Sequence, residues 1–270
     1  MRLLVVGSGH VARALSAAWR ATHDVEQRPA RAPWPAQRSY DAVFVAVADR
    51  AIAAVASEVV SAGAADSSTV LLHAAGALAP EEVFAALRSR VGGVALCHPL
   101  LAVADDDPAR FRGAVFAIAG DARGLDVARA LALDAGGKPI VLDGAGLVRY
   151  HAAAALTANH TLALVAAGVA LLEGEGIARR DAEVALGRLL GSAADNVARL
   201  GLPAALTGAI ARGDVAVVAR HLGALPLEAR ALYRATGPAT VALARARGGD
   251  PAALDRIAAL FLDETTRADD

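Results

Sequence analysis

The chain has 270 residues, of which 56% are hydrophobic, 20% charged and 4% aromatic, and its 27 Lys and Arg against 28 Asp and Glu leave a formal charge of −1. That apolar fraction excludes a disordered chain, and the balanced charge gives no reason to expect nucleic acid or an anionic membrane as a partner. A single Cys excludes an internal disulfide framework and a multi-cysteine zinc site, so no metal is expected.

Residues 2–6 form a short apolar run that turns to glycine, too short for the apolar region of a signal peptide, which sets a cytoplasmic expectation. Helical periodicity through Val11, Leu15, Ala18 and Trp19 follows, so the start reads as strand, glycine turn, helix. Residues 22–27 are a weak second strand, and 28–39 are a loop with three prolines. The run DAVFVAVA at 41–48 suits a strand buried on both faces. Asp49 is placed to cap a helix over 50–62. A strand is predicted over 69–73, a helix over 80–88 opened by Pro80, and strands over 94–97 and 115–119. A helix over 124–135 and a last strand over 138–142 complete the alternation, which argues for a mostly parallel sheet with helices on both faces.

No strand signal survives beyond Gly146. Helices are predicted over 148–175, 181–200 and from 214 to 222, then over 228–247 with a break at Gly237-Pro238, and over 251–262. The expected organisation is an α/β Rossmann-like domain over 1–146, an all-α substrate and dimerisation domain over 147–265, and a frayed tail over 266–270. The mean hydropathy of +0.42 raises the question of a membrane. The uncharged stretch 152–172 is long enough to span one, but Thr157, Asn159, His160 and Thr161 interrupt it, and a buried helix is expected instead.

The strongest chemical signal is Gly7-Ser8-Gly9-His10-Val11-Ala12. The first glycine makes a tight turn, the second admits a pyrophosphate to the backbone, and Ala12 lets the helix pack close to the strand. The helix N-terminus then offers free N–H groups to the phosphates. Gly7, Ser8, Gly9, His10 and Val11 are therefore cofactor candidates, joined by Val47 and Ala48 at the end of the third strand. An acid at the end of the second strand would select NAD, but Arg28 and Arg31 follow Glu26 there, and arginine suits the 2′-phosphate of NADP.

Several segments together resemble a known family: GSGHVA at 7–12, AVADRAI at 46–52, HAAGAL at 73–78, CHPL at 97–100, YHAAAALTANH at 150–160, ALTGAIARGD at 205–214 and HL at 221–222. They resemble the Rossmann-like NADP oxidoreductases with a helical C-terminal domain of unknown function (domain of unknown function 2520). The resemblance covers nearly the whole chain in order. It implies a dinucleotide-binding domain, then a helical domain that completes the substrate site and forms a homodimer; it supplies no substrate. The layout is more distantly similar to 6-phosphogluconate and β-hydroxyacid dehydrogenases, prephenate dehydrogenases, imine reductases and pyrroline-carboxylate reductases.

In hydroxyacid dehydrogenases the helix corresponding to 148–175 carries Lys and, four residues on, Asn. Asn159 matches that Asn, but Ala155 stands where the Lys would be, and Lys138, the only lysine, lies outside the helix. His151, Ala155 and Asn159 share one face of a regular helix, with His151 and Asn159 roughly 12 Å apart along it. His98 precedes Pro99 at the carboxyl end of a strand, where open α/β folds bind ligands, and prephenate dehydrogenases carry a similar His-Pro. His98 and His151 are thus candidate proton donors, with Asn159 orienting the substrate. His73, Thr207 and Arg212 are candidate substrate contacts, Arg212 as a clamp for a carboxylate. Each has a structural alternative: a histidine closing a loop, or an arginine bracing Asp214. Tyr150 reads as a proton donor or as packing, and Cys97 as buried and inert.

The expected function is an NADP-dependent reductase of a small carbonyl or imine, a 2-oxo acid among the candidates, with NAD the less expected cofactor. The alternatives are a non-catalytic NADP-binding sensor, favoured by the missing helix lysine, and a prephenate-type dehydrogenase.

Overall fold

The structure, a computed structural model, describes residues 1–31, 33–34 and 39–262; part of the loop 28–39 and the charged tail from 263 lie outside the described residues. The described chain divides into two compact units, Met1–Ala158 and Asn159–Asp270.

The first unit is built on a seven-stranded sheet: β1 (Arg2–Val6), β2 (Asp24–Arg28), β3 (Ala42–Val45), β4 (Val70–His73), β5 (Gly93–Pro99), β6 (Val115–Gly120) and β7 (Lys138–Val141). The spatial order is β2-β1-β3-β4-β5-β6-β7, parallel throughout except where β6 runs antiparallel to β5. Side chains alternate across it, as the two-residue period of a strand requires. Leu3, Val5, Phe44 and Leu72 face one layer, with Leu15 and Trp19 of helix α1 (His10–Trp19) and Leu131 of helix α4 (Ala122–Asp134). Leu4, Val6, Val43 and Leu71 face the other, with Ile52, Val55 and Val59 of helix α2 (Ile52–Ser61) and with Phe84, just past the short helix α3 (Pro80–Val83). These strands are therefore buried on both faces, and the Trp19 indole N–H, enclosed there, donates to the Leu131 carbonyl at 2.8 Å.

Helix α5 (Gly144–Ala154) returns across the sheet, capped by the Asp143 carboxylate on the Gly146 N–H at 2.6 Å. Leu147 is buried against Leu96, Ala117 and Ala119, with Tyr150 packed beside it. This packing places α5 in the first unit. A π-helical segment, Ala155–Asn159, leads into helix α6 (His160–Gly174).

The second unit holds α6, α7 (Arg179–Leu200), α8 (Val215–Ala224), α9 (Leu227–Ala246) and α10 (Pro251–Leu262). Val218, Leu222, Val241, Leu254, Ile257 and Phe261 form its core. Asp214 caps α8 by accepting from the Val217 N–H at 3.1 Å.

Several expectations are corrected. Asp49 does not cap α2 through its side chain; it sits in a 3₁₀ turn, Asp49–Ala51, ahead of the helix. The helix predicted over 80–88 is one turn of α-helix followed by a 3₁₀ turn, Ala85–Leu87. The predicted break at Gly237-Pro238 is absent, and α9 is continuous. A Cβ on Gly237 would lie 2.5 Å from the Phe261 ring, so α10 packs flat on the helix there and holds it through the proline. The long apolar helix is not buried within the chain: Leu156 and Leu162 are 62% and 64% exposed. By length and composition Gly144–Gly174 is the one described helix that reaches the requirements of a membrane span.

Candidate active site

The sheet order reverses between β1 and β3, which opens a crevice at their carboxyl ends. The glycine turn lies there, between β1 and α1. Gly7 has φ +151°, and a Cβ on it would lie 2.3 Å from the Ala46 carbonyl oxygen, so only glycine fits. Gly9 is the N-cap of α1 and provides no side-chain cap, leaving the first N–H groups of the helix for a ligand. A Cβ on Gly9 would meet nothing within 4 Å.

A cavity of about 520 Å³ extends from this turn. Gly7, Ser8, Gly9, His10, Val11, Val47 and Ala48 all line it. Sequence reasoning missed Ala30, Asp49, Ala74 and Val103, which also line it; Ala30, Ala74 and Val103 carry no distinctive signal, and Asp49 was read only as a helix cap. The turn, the uncapped helix end and the volume suit a dinucleotide diphosphate.

Arg28 ends β2 but is not among the lining residues. It bonds the Glu26 carboxylate at 2.5 Å and the Pro33 carbonyl at 2.9 Å, while the Tyr40 hydroxyl donates to the other Glu26 oxygen at 2.6 Å. The Glu26 carboxylate thus has protein partners on both oxygens.

A histidine cluster adjoins the cavity. His98 is the penultimate residue of β5, and its Nδ1 lies 3.0 Å from the Tyr150 hydroxyl on α5. The His98 and His151 rings meet edge to face at 5.7 Å. A Cβ on Gly76 would lie 2.8 Å from His151 Nδ1 and 3.0 Å from His98 Nε2, so both nitrogens converge on the space a side chain there would fill. Gly76 went unremarked in the sequence, although a glycine three residues past a candidate histidine marks close backbone approach. Burial, then the neighbouring His151, hold His98 down to about 4, partly offset by Asp49. Burial pushes the Tyr150 phenol up to about 12, so it positions His98 rather than giving up its own proton.

His73 is fully enclosed, and its Nδ1 accepts the Ala75 N–H at 3.1 Å, which closes the turn after β4. Its proton therefore sits on Nε2, which has no hydrogen-bond partner. Burial, then His98, hold His73 at about 4. An unfolded chain takes up that proton near the ordinary 6.5, so this group's stabilisation is full above pH 6.5 and is lost as pH falls toward 4. The loss amounts to about 3 kcal/mol. Urea unfolding at pH 7.5 and 4.5 should show a smaller drop for His73→Asn than for the wild type; equal drops would contradict this account.

The remaining candidates lie in the second unit. Asn159 closes the π-helical segment, whose wider turn breaks the four-residue alignment with His151 that a regular helix would keep. Thr207 and Arg212 lie on the turn before α8; Asp214 is engaged as that helix's cap, and among the described residues Arg212 makes no ion pair with it. Cys97 is fully buried and its thiol is pushed up to about 12. Among the described residues no group of three or more His, Cys, Asp or Glu is arranged to hold a metal ion.

Sheet order, glycine turn and crevice define a Rossmann-type α/β fold with a helical C-terminal part. Residues 114–240 match the family model described as Domain of unknown function (DUF2520), the family the sequence motifs resemble. No curated protein matches the chain. Among solved structures, protein TM1727 from Thermotoga maritima is 23% identical with a TM-score of 0.71, covering 91% of this chain and 99% of that one. BF3122 from Bacteroides fragilis, provisionally described as an NADP oxidoreductase, is 18% identical with a TM-score of 0.68, covering 90% and 97%. The Plasmodium falciparum pyrroline carboxylate reductase with NADP bound is 11% identical with a TM-score of 0.58, covering 97% and 98%.

Proposed function

We propose that the chain is an NADP-dependent oxidoreductase that reduces a small carbonyl or imine substrate, a 2-oxo acid among the candidates. The observation that carries this reading is the convergence of His98 Nε2 and His151 Nδ1 beside a cavity that begins at the glycine turn. Two cavity residues tie the pieces together: Asp49 acts on His98, and Ala74 directly follows His73. The NADP-bound reductase of the same fold supports the choice of cofactor.

When bound, the cofactor supplies a hydride to the electrophilic carbon of the substrate. The chain's own contribution is to bind, orient and deliver a proton. Free N–H groups at the start of α1 hold the diphosphate. Tyr150 fixes His98 through Nδ1 and leaves Nε2 toward Gly76. His98 is neutral near pH 7, so its Nε2 orients the substrate by hydrogen bonding and delivers a proton only as one is relayed to it. The neighbouring His151 ring, exposed to solvent, is the path by which a proton reaches it. Asn159, Thr207 and Arg212 are proposed as substrate contacts from the sequence pattern alone.

The apolar faces of α6 and α7, with Leu162 64% and Leu189 65% exposed, support a homodimer through the helical domain. The missing helix lysine favours a second reading, a non-catalytic NADP-binding sensor. NADPH oxidation against a panel of 2-oxo acids, aldehydes, ketones and cyclic imines separates the two. Turnover of one class is expected; NADPH binding with no turnover across the panel would favour the sensor.

A further inference from the structure

The loop 100–107 leaves β5 directly after His98-Pro99 and runs back to the glycine turn. Val103 lines the cavity on the way. At the loop's end stand three consecutive aspartates with different partners. Asp105 pairs with Arg110, and Asp107 caps the following 3₁₀ helix through the Ala109 N–H at 2.9 Å. Of the three, Asp106 is the one that hydrogen-bonds to α1: its carboxylate meets His10 Nδ1 at 2.8 Å and Arg13 Nε at 2.6 Å, while Asp105 acts on His10 only through its charge. Arg13, then His10, hold the Asp106 carboxyl below the usual range, so it is an anion. Arg13 also donates to the Ser8 carbonyl inside the glycine turn.

A carboxylate of the protein therefore engages the Arg13 guanidinium and the His10 ring beside the uncapped helix end at the glycine turn. His10 is itself a wall of the cavity. We infer that Asp106 is an affinity-determining residue that competes with the cofactor diphosphate for His10 and Arg13, so that binding draws these two side chains away from the loop that follows His98. The inference rests on the cofactor reading given above. Asp106 thereby differs from its two neighbours, whose side chains engage the 3₁₀ helix that follows the loop.

The test is NADPH titration, followed by fluorescence, of wild type, Asp106→Asn and Asp105→Asn at low and at 1 M salt. Asp106→Asn is expected to tighten binding about fivefold at low salt, a gain that shrinks at 1 M because the groups are exposed. Asp105→Asn keeps the competing carboxylate and is expected to leave the Kd within about twofold. Unchanged or weaker binding by Asp106→Asn overturns the inference. So does an equal gain from Asp105→Asn, which would reflect general charge alone. A wild type that binds no NADPH overturns the cofactor reading and the competition with it, whereas binding without an Asp106 effect overturns the competition only.

Discussion

Gly9→Asp is expected to abolish NADPH binding, weakening it by roughly 100-fold or more, while the chain stays folded. The Cβ position of Gly9 is open, so the new side chain costs little in the free protein. Its carboxylate would stand where the diphosphate meets the helix end, and two anions at contact distance in a partly closed cleft repel strongly. Gly7→Ala makes the contrast. Its Cβ would press on the Ala46 carbonyl from a positive φ, so that variant should lose stability first, by about 2 kcal/mol or more. Titration with NADPH and thermal melts of both variants check the pair. Gly9→Asp binding that remains within tenfold of wild type would place the cofactor elsewhere.

His98→Ala is expected to lower turnover about 10²- to 10³-fold, the usual contribution of one positioned proton donor, with NADPH affinity within about threefold of wild type. Its ring is not a wall of the dinucleotide cavity, and the loss should appear in kcat rather than in cofactor binding. Tyr150→Phe should cost less, because the imidazole survives but loses its hold on Nδ1. A His98→Ala enzyme that turns over at the wild-type rate would leave the proton to His151 alone.

The dinucleotide half was legible because its constraints are local. A strand buried on both faces must read as a continuous apolar run, and only glycine tolerates the approach of Ala46 at position 7. The histidine cluster was legible only in part. His98 and His151 were named from strand-end position and family motif, but 53 residues separate them, and no periodicity reports that α5 crosses back over the sheet. The same holds for Asp106, whose partners lie 93 and 96 residues away. His73 was named as a substrate contact from its place at a strand end. Its burial depends on Phe84, packed at 5.5 Å from the other side of the turn. The π-helical segment escaped because its residues, ALTAN, are ordinary helix formers by composition. Pro238 misled in the opposite direction, since packing of α10 against Gly237 overrides its local preference.

The central claim is a nicotinamide dinucleotide held at the glycine turn with the phosphorylated form preferred. Fluorescence titration of the wild-type chain with NADPH and with NADH, at one physiological salt concentration, tests it most directly. The account predicts saturable binding of one NADPH per chain and weaker binding of NADH. Absence of binding by either, or NADH bound as tightly as NADPH, would contradict it.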